Sequence, residues 1–147
     1  MTTLATSRWL YGLVSVVHYS AVFSCVGTVV LLDLRILRVA HRNQALSALA
    51  EQLRPLTWIG FGSAVVSGFL LFATEAGDYA AATPFRVKIL IIALAVISAL
   101  AIEWSVPRWD RAPVMPVTAG LLALISIGLW LGAILVSVEI PALTGLG

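Results

Sequence analysis

The chain has 147 residues, 61% of them hydrophobic and 11% charged, with a mean hydropathy of +1.03. A soluble domain of this size has no interior large enough for so much apolar surface, so the composition points to a membrane. The formal charge of +2 is small and dispersed, which argues against a nucleic-acid partner, and the single cysteine, Cys25, excludes an intrachain disulfide or a CxxC metal pair.

The N-terminal MTTLATSR carries one arginine before an apolar run too long for a signal-peptide core. It reads as the flank of a retained first span and not as a cleaved leader. That first span, 10–32, has no formal charge over its 23 positions. At about 1.5 Å per residue it is long enough to cross a hydrocarbon core roughly 30 Å thick. One ionisable residue, His18, stands inside it. Residues 33–54 are more polar, with Ala45, Leu46, Leu49, Ala50 and Leu53 at helical spacing. The expectation is a short extension of the first helix and then an amphipathic segment over 38–54 on the cytoplasmic surface.

The second span, 55–74, opens at Pro55 and carries Gly60, Ala64 and Gly68 at four-residue intervals. Small residues so spaced let helix backbones approach closely. The third, 84–102, opens at Pro84 and includes Arg86 and Lys88. Pro107, Pro113 and Pro116 read as a connection, and Pro141 as the stop after a fourth span, 117–138, which holds Gly128 and Gly132. The fold expected is a single all-α domain over 1–147, an integral-membrane up-down bundle of four transmembrane helices.

Four spans put both termini and the middle connection on one side with Arg8, Arg86 and Lys88. Arg35, Arg38, Arg42, Arg54, Arg108 and Arg111 fall on the other. The positive-inside rule makes the richer side cytoplasmic, in a bacterial inner membrane, with both termini outside. Trp9, Tyr11, Tyr79 and Phe85 would mark the outer interface, and Trp58, Trp104 and Trp109 the inner one.

His18 shares a helix face with Tyr11, Ser15, Val22, Cys25 and Val29. It lies nine residues beyond Trp9, roughly 13 Å deep. A neutral imidazole there suits the iron of a haem or the magnesium of a chlorophyll-type pigment, and equally an interhelical hydrogen bond to a hydroxyl or a backbone carbonyl. Lys88 enters from the same side, about 6 Å in. It can snorkel to the headgroups, or turn inward as a ligand or proton donor. Trp130 can stack on a porphyrin or quinone ring, or simply pack. Glu103 reads as an interfacial carboxylate paired with Arg54 or Arg108. His41, among Arg38 and Arg42, reads as solvated, and Glu75, Asp78 and Glu139 as acids of the outer face. No Walker loop, Rossmann fingerprint, HExxH or Ser-His-Asp set is present. Met1 and Met115 are the only methionines and neither is mid-span, which argues against a copper(I) path.

The stretches VVHYSAVFSCVGTVVLLDLRIL, LRPLTWIGFGSAVVSGFLLF and TPFRVKILIIALAVISAL together resemble the small four-span bacterial membrane proteins of the CopD and HemJ groups. A subgroup of these has a similar LDLR stretch after the first helix. The resemblance runs over about residues 12–101. In HemJ-type protoporphyrinogen oxidases a first-helix histidine and a lysine opening the third helix are associated with b-type haem, and His18 and Lys88 match those two positions. Where the third helix of the subgroup often ends in a histidine this chain has Glu103, with Ser98 in place of an Asn, so the match does not extend to a bis-histidine haem.

The resemblance implies a haem-b membrane protein for electron transfer or porphyrin redox chemistry. His18 would be the iron ligand and Lys88 the second ligand or a proton donor; apart from the resemblance, the depth of Trp130 in the fourth span suits it as a ring-packing residue, and quinone is the natural electron acceptor for so small a bundle. The alternative is a non-catalytic accessory subunit, packed through its small-residue faces into an oligomer or a larger respiratory or photosynthetic complex. A transporter is a weaker third reading, since few ionisable groups lie within the spans.

Overall fold

Backbone polar groups in an apolar solvent must bond within their own segment, and this chain satisfies them as helix. A computed structural model describes the backbone of residues 8–74 and 83–144 and the side chains of residues 8–73 and 83–137. Helix α1 spans Arg8–Ile36, α2 Leu46–Thr74, α3 Thr83–Asp110 and α4 Val117–Thr144. There is no strand among the described residues. All four helices are long and apolar enough to cross a membrane. Each has 28 or 29 residues, hence roughly 42 Å of length, so the ends project beyond a hydrocarbon core of about 30 Å.

The helices overrun the expected spans, chiefly at the end where residues 37–45 join α1 to α2 and residues 111–116 join α3 to α4 (the connection end). The amphipathic segment 38–54 is not a separate surface helix. From Leu46 onward it is the opening of α2, and Leu46, Leu49 and Ala50 are buried in the bundle. Pro55 therefore stands inside α2 and not at its start, and Pro107 inside α3 and not in a connection. A proline lacks the N–H that would bond the carbonyl four residues earlier. For Pro55 that residue is Glu51, which is exposed, so solvent can take the free carbonyl. Likewise α4 continues past position 141. Tyr79, Glu75 and Asp78 lie outside the described residues, as does the side chain of Glu139.

Helix α1 ends in a Schellman turn. The Arg38 amide donates to the Arg35 carbonyl at 3.1 Å, and the Val39 amide to the Leu34 carbonyl at 2.9 Å. The left-handed position of that turn, usually a glycine, is held by Arg38 at φ 60°. Helix α2 begins with a cap from another helix: Asp110 accepts the Leu46 amide at 3.1 Å and the Ser47 hydroxyl at 2.5 Å.

Helix α1 packs most extensively on α2 and α3 on α4, with α1 on α4 and α2 on α3 closing the ring of contacts. The exterior is apolar, with Val16, Phe23, Ile59, Phe69, Leu90, Ile97, Leu124 and Leu135 exposed. The interior holds polar groups among its apolar ones: Thr28, Asp33, Thr57, Ser67, Ser98 and Ser126 are buried. This inside-out distribution is what contact with a lipid bilayer selects. Two apolar clusters fill the interior. One, at the connection end, gathers Leu32, Ile36, Leu46, Leu49, Ile102, Val106 and Trp109. Trp109 is thus turned inward, whereas Trp104 is exposed as an interfacial tryptophan would be. The other cluster, mid-bundle, joins Cys25, Val26, Val29, Ala95 and Trp130.

Candidate functional site

The small residues of α2 bring it against α1. A methyl group on Gly60 would stand 3.1 Å from both the Ala21 carbonyl oxygen and the Cys25 nitrogen, so the two backbones meet here with no room for a side chain. Two turns along, the same face receives His18. Its Nδ1 lies 3.0 Å from the Ala64 carbonyl oxygen and 3.1 Å from Ser67 Oγ. A carbonyl can only accept, so Nδ1 carries the hydrogen, and in the neutral ring Nε2 keeps its lone pair. The Ser67 hydroxyl donates to the Ser63 carbonyl at 2.6 Å, which leaves its oxygen free to accept from the ring. Gly68 makes the space: a Cβ there would be 2.9 Å from His18 Cε1. Among the described residues Nε2 forms no hydrogen bond.

Lys88, half-buried on α3, lies close enough for its charge to act on the His18 ring. Among the described residues no hydrogen bond or ion pair joins the two. Trp130 is placed differently. Its neighbours on α1 are Cys25, Val26 and Val29, seven to eleven positions beyond His18, and its buried Nε1 has no partner among the described residues. No set of three or more His, Cys, Asp or Glu residues is gathered among the described residues. Ligand chemistry at this point therefore comes down to the His18 imidazole and the Lys88 amine.

A second polar site was not singled out in the sequence. Asp33 is fully buried, and neither carboxylate oxygen has a hydrogen-bond partner among the described residues. The Ser126 hydroxyl, also buried, faces the Asp33 carboxyl from just beyond hydrogen-bond distance. The signal was present: Asp33 continues the face that runs through His18, Val22, Cys25 and Val29. A cavity of about 20 Å³, lined by Asp33, Thr28, Thr57, Arg54 and Glu103 among others, adjoins it. That is room for about one water molecule. Glu103 closes this region, accepting from Trp58 Nε1 at 3.0 Å and lying 3.6 Å from Arg54 Nε. Of the two partners expected for Glu103, Arg54 is the one it meets.

A larger cavity, about 530 Å³, opens at the connection end between Arg35, Arg38, Arg42, Trp109 and, from the 111–116 connection, Ala112, Pro113 and Met115. Neither cavity touches His18 or Lys88. Comparison of the chain with models of protein families, with curated proteins and with solved structures found no match.

Proposed function

We propose that this chain is a small bacterial inner-membrane protein that binds b-type haem through His18 and serves electron transfer or porphyrin redox chemistry, as its resemblance to the CopD and HemJ groups implies. The observation that carries this reading is the attachment of the ring. Metal-ligating histidines are oriented by donating their other N–H to a carbonyl or carboxylate, and His18 donates from Nδ1 to the Ala64 carbonyl while Nε2 is left for a ligand. His18 Nε2 would hold the iron, and the Lys88 amine would serve as second ligand or proton source. Haem, when bound, supplies one-electron redox chemistry, and the protein sets its potential through ligand type and burial. Quinone is the electron acceptor proposed, and the connection end is assigned to the cytoplasm by its arginines. Trp130, packed further along α1, is assigned to the bundle core and not to the cofactor.

The experiment is a spectrum. Protein purified in mild detergent is expected to be coloured, with a Soret band that sharpens on dithionite reduction. His18→Ala abolishes it. Lys88→Ala shifts it without removing all pigment, and Lys88→Arg does not rescue, because a guanidinium stays protonated. A chlorophyll-type spectrum lost with His18 keeps the ligand and changes the cofactor. A colourless, folded wild-type protein that takes up no added haemin refutes the proposal.

One observation favours the second reading, an accessory subunit. Gly128 on α4 is exposed with nothing within 4 Å, whereas Gly132 faces Ile91 of α3 at 4.0 Å, so one of the two small residues is left open on the outside of the bundle. Comigration with a large respiratory or photosynthetic complex in a native gel would decide for it.

A further inference from the structure

We propose that the cavity at the connection end is a binding site for a phosphate-bearing anion, and that its occupant is the headgroup of an anionic phospholipid. Three guanidinium side chains, Arg35, Arg38 and Arg42, line its wall, with Trp109, Leu46, Pro113 and Met115 supplying apolar surface. At about 530 Å³ it is of a size for a headgroup and not for a single ion.

The arginines are held in place from behind. Arg35 Nε donates to the Gln44 carbonyl at 2.9 Å, and Arg42 Nε donates to the Arg38 carbonyl. Both bonds use the inner nitrogen, which leaves the terminal N–H pairs for a ligand, and paired guanidinium N–H groups match phosphate oxygens. None of the three arginines has a carboxylate at ion-pair distance among the described residues. Asp110 also lines the cavity; its oxygens accept from Leu46 and Ser47 at the start of α2, and its charge offsets part of that of Arg35, so Arg38 and Arg42 carry most of the attraction for an anion.

The loop that carries Arg38 and Arg42 is bent at two non-glycine residues with positive φ, Arg38 at 60° and His41 at 51°. Such conformations cost free energy for side chains of this kind and concentrate at functional sites. At Arg38 a glycine would satisfy the turn without cost, and the chain keeps an arginine. The cavity also lies at the end of four membrane-length helices, where basic clefts meet lipid headgroups.

The test uses the full chain in nanodiscs of mixed phosphatidylcholine and phosphatidylglycerol, with retained lipid measured by native mass spectrometry. Wild type should retain phosphatidylglycerol over phosphatidylcholine, and the double variant Arg38→Asn, Arg42→Gln should lower that preference at least tenfold. Asparagine tolerates the left-handed position, so the turn is kept. The charge-matched control is Arg108→Gln with Arg111→Gln, which should fall by less than threefold. Equal losses in the two doubles would mean net charge and no site, and would overturn the proposal. So would a wild type that retains the two lipids alike, an arm that requires no variant to fold. Retention of millimolar glycerol phosphate by protein that shows no preference between the two lipids would keep the phosphate site and overturn its assignment to lipid.

Discussion

The contact between Gly68 and His18 is tight enough to test in isolation. A Cβ at position 68 would be 2.9 Å from His18 Cε1 and 3.4 Å from Nδ1. Carbon atoms settle at about 3.5–4.0 Å, so in Gly68→Ala the ring must retreat by roughly 0.6 Å or more. Its Nδ1 now lies 3.0 Å from the Ala64 oxygen, and a bond stretched toward about 3.6 Å is no longer a hydrogen bond. The lost bond costs about 0.5–1.5 kcal/mol and the overpacking about 1–3 kcal/mol. The gain of alanine over glycine within a helix offsets about 0.5–1 kcal/mol. The net expectation is a loss of about 0.5–4 kcal/mol. Gly62, on the same helix, has nothing within 4 Å, so Gly62→Ala should gain about 0.5–1 kcal/mol. Unfolding in mixed micelles titrated with SDS gives the stability difference, and the imidazole nitrogen spectrum reports the Nδ1 bond. Equal stability of the two variants with an unchanged imidazole spectrum would refute the reasoning.

Asp110→Ala removes the acceptor for the Leu46 amide and the Ser47 hydroxyl, a capping loss of about 0.5–2 kcal/mol. It should appear as faster amide exchange confined to the first turn of α2, and exchange unchanged there would show that the cap contributes nothing. Asp33→Asn should leave thermal stability unchanged or raise it by about 1 kcal/mol, because the carboxylate it replaces is buried without a hydrogen-bond partner. A fall of more than about 1 kcal/mol would mean that Asp33 has a partner, such as water or a cation in the adjoining cavity.

The spans were legible because each is an uncharged or nearly uncharged run of sufficient length. Their ends were not. Hydropathy marks where a helix is apolar, but helical hydrogen bonding continues into polar sequence, so α2 begins nine residues before Pro55. Proline was read as a boundary, yet near a helix end the carbonyl it strands can be hydrated. The pairing of His18 with a backbone carbonyl was one of two readings open from periodicity, and which carbonyl accepts depends on the register of α1 against α2. Periodicity also misjudged Trp109, because interface tryptophans and end-of-bundle core tryptophans occupy the same stretch of sequence. Asp33 is hard to read for a related reason: it stands first after the uncharged run, where a carboxylate in a polar stretch looks the same whether solvated or buried.

The two ends of the bundle are fastened by different chemistry. Between α2 and α3, the polar ties among the described residues, Asp110 to Leu46 and Ser47 and Glu103 to Trp58 and Arg54, all lie toward the connection end. Toward the opposite end the same two helices meet through Phe72 and Phe85, stacked with ring centroids 4.8 Å apart. Water and salt compete for the first set and hydrocarbon for the second. Ionic strength therefore loosens α2 from α3 at the end farther from His18, whereas lipid or detergent chains wedge the two apart at the end nearer to it, so solvent composition selects which end of the seam parts first.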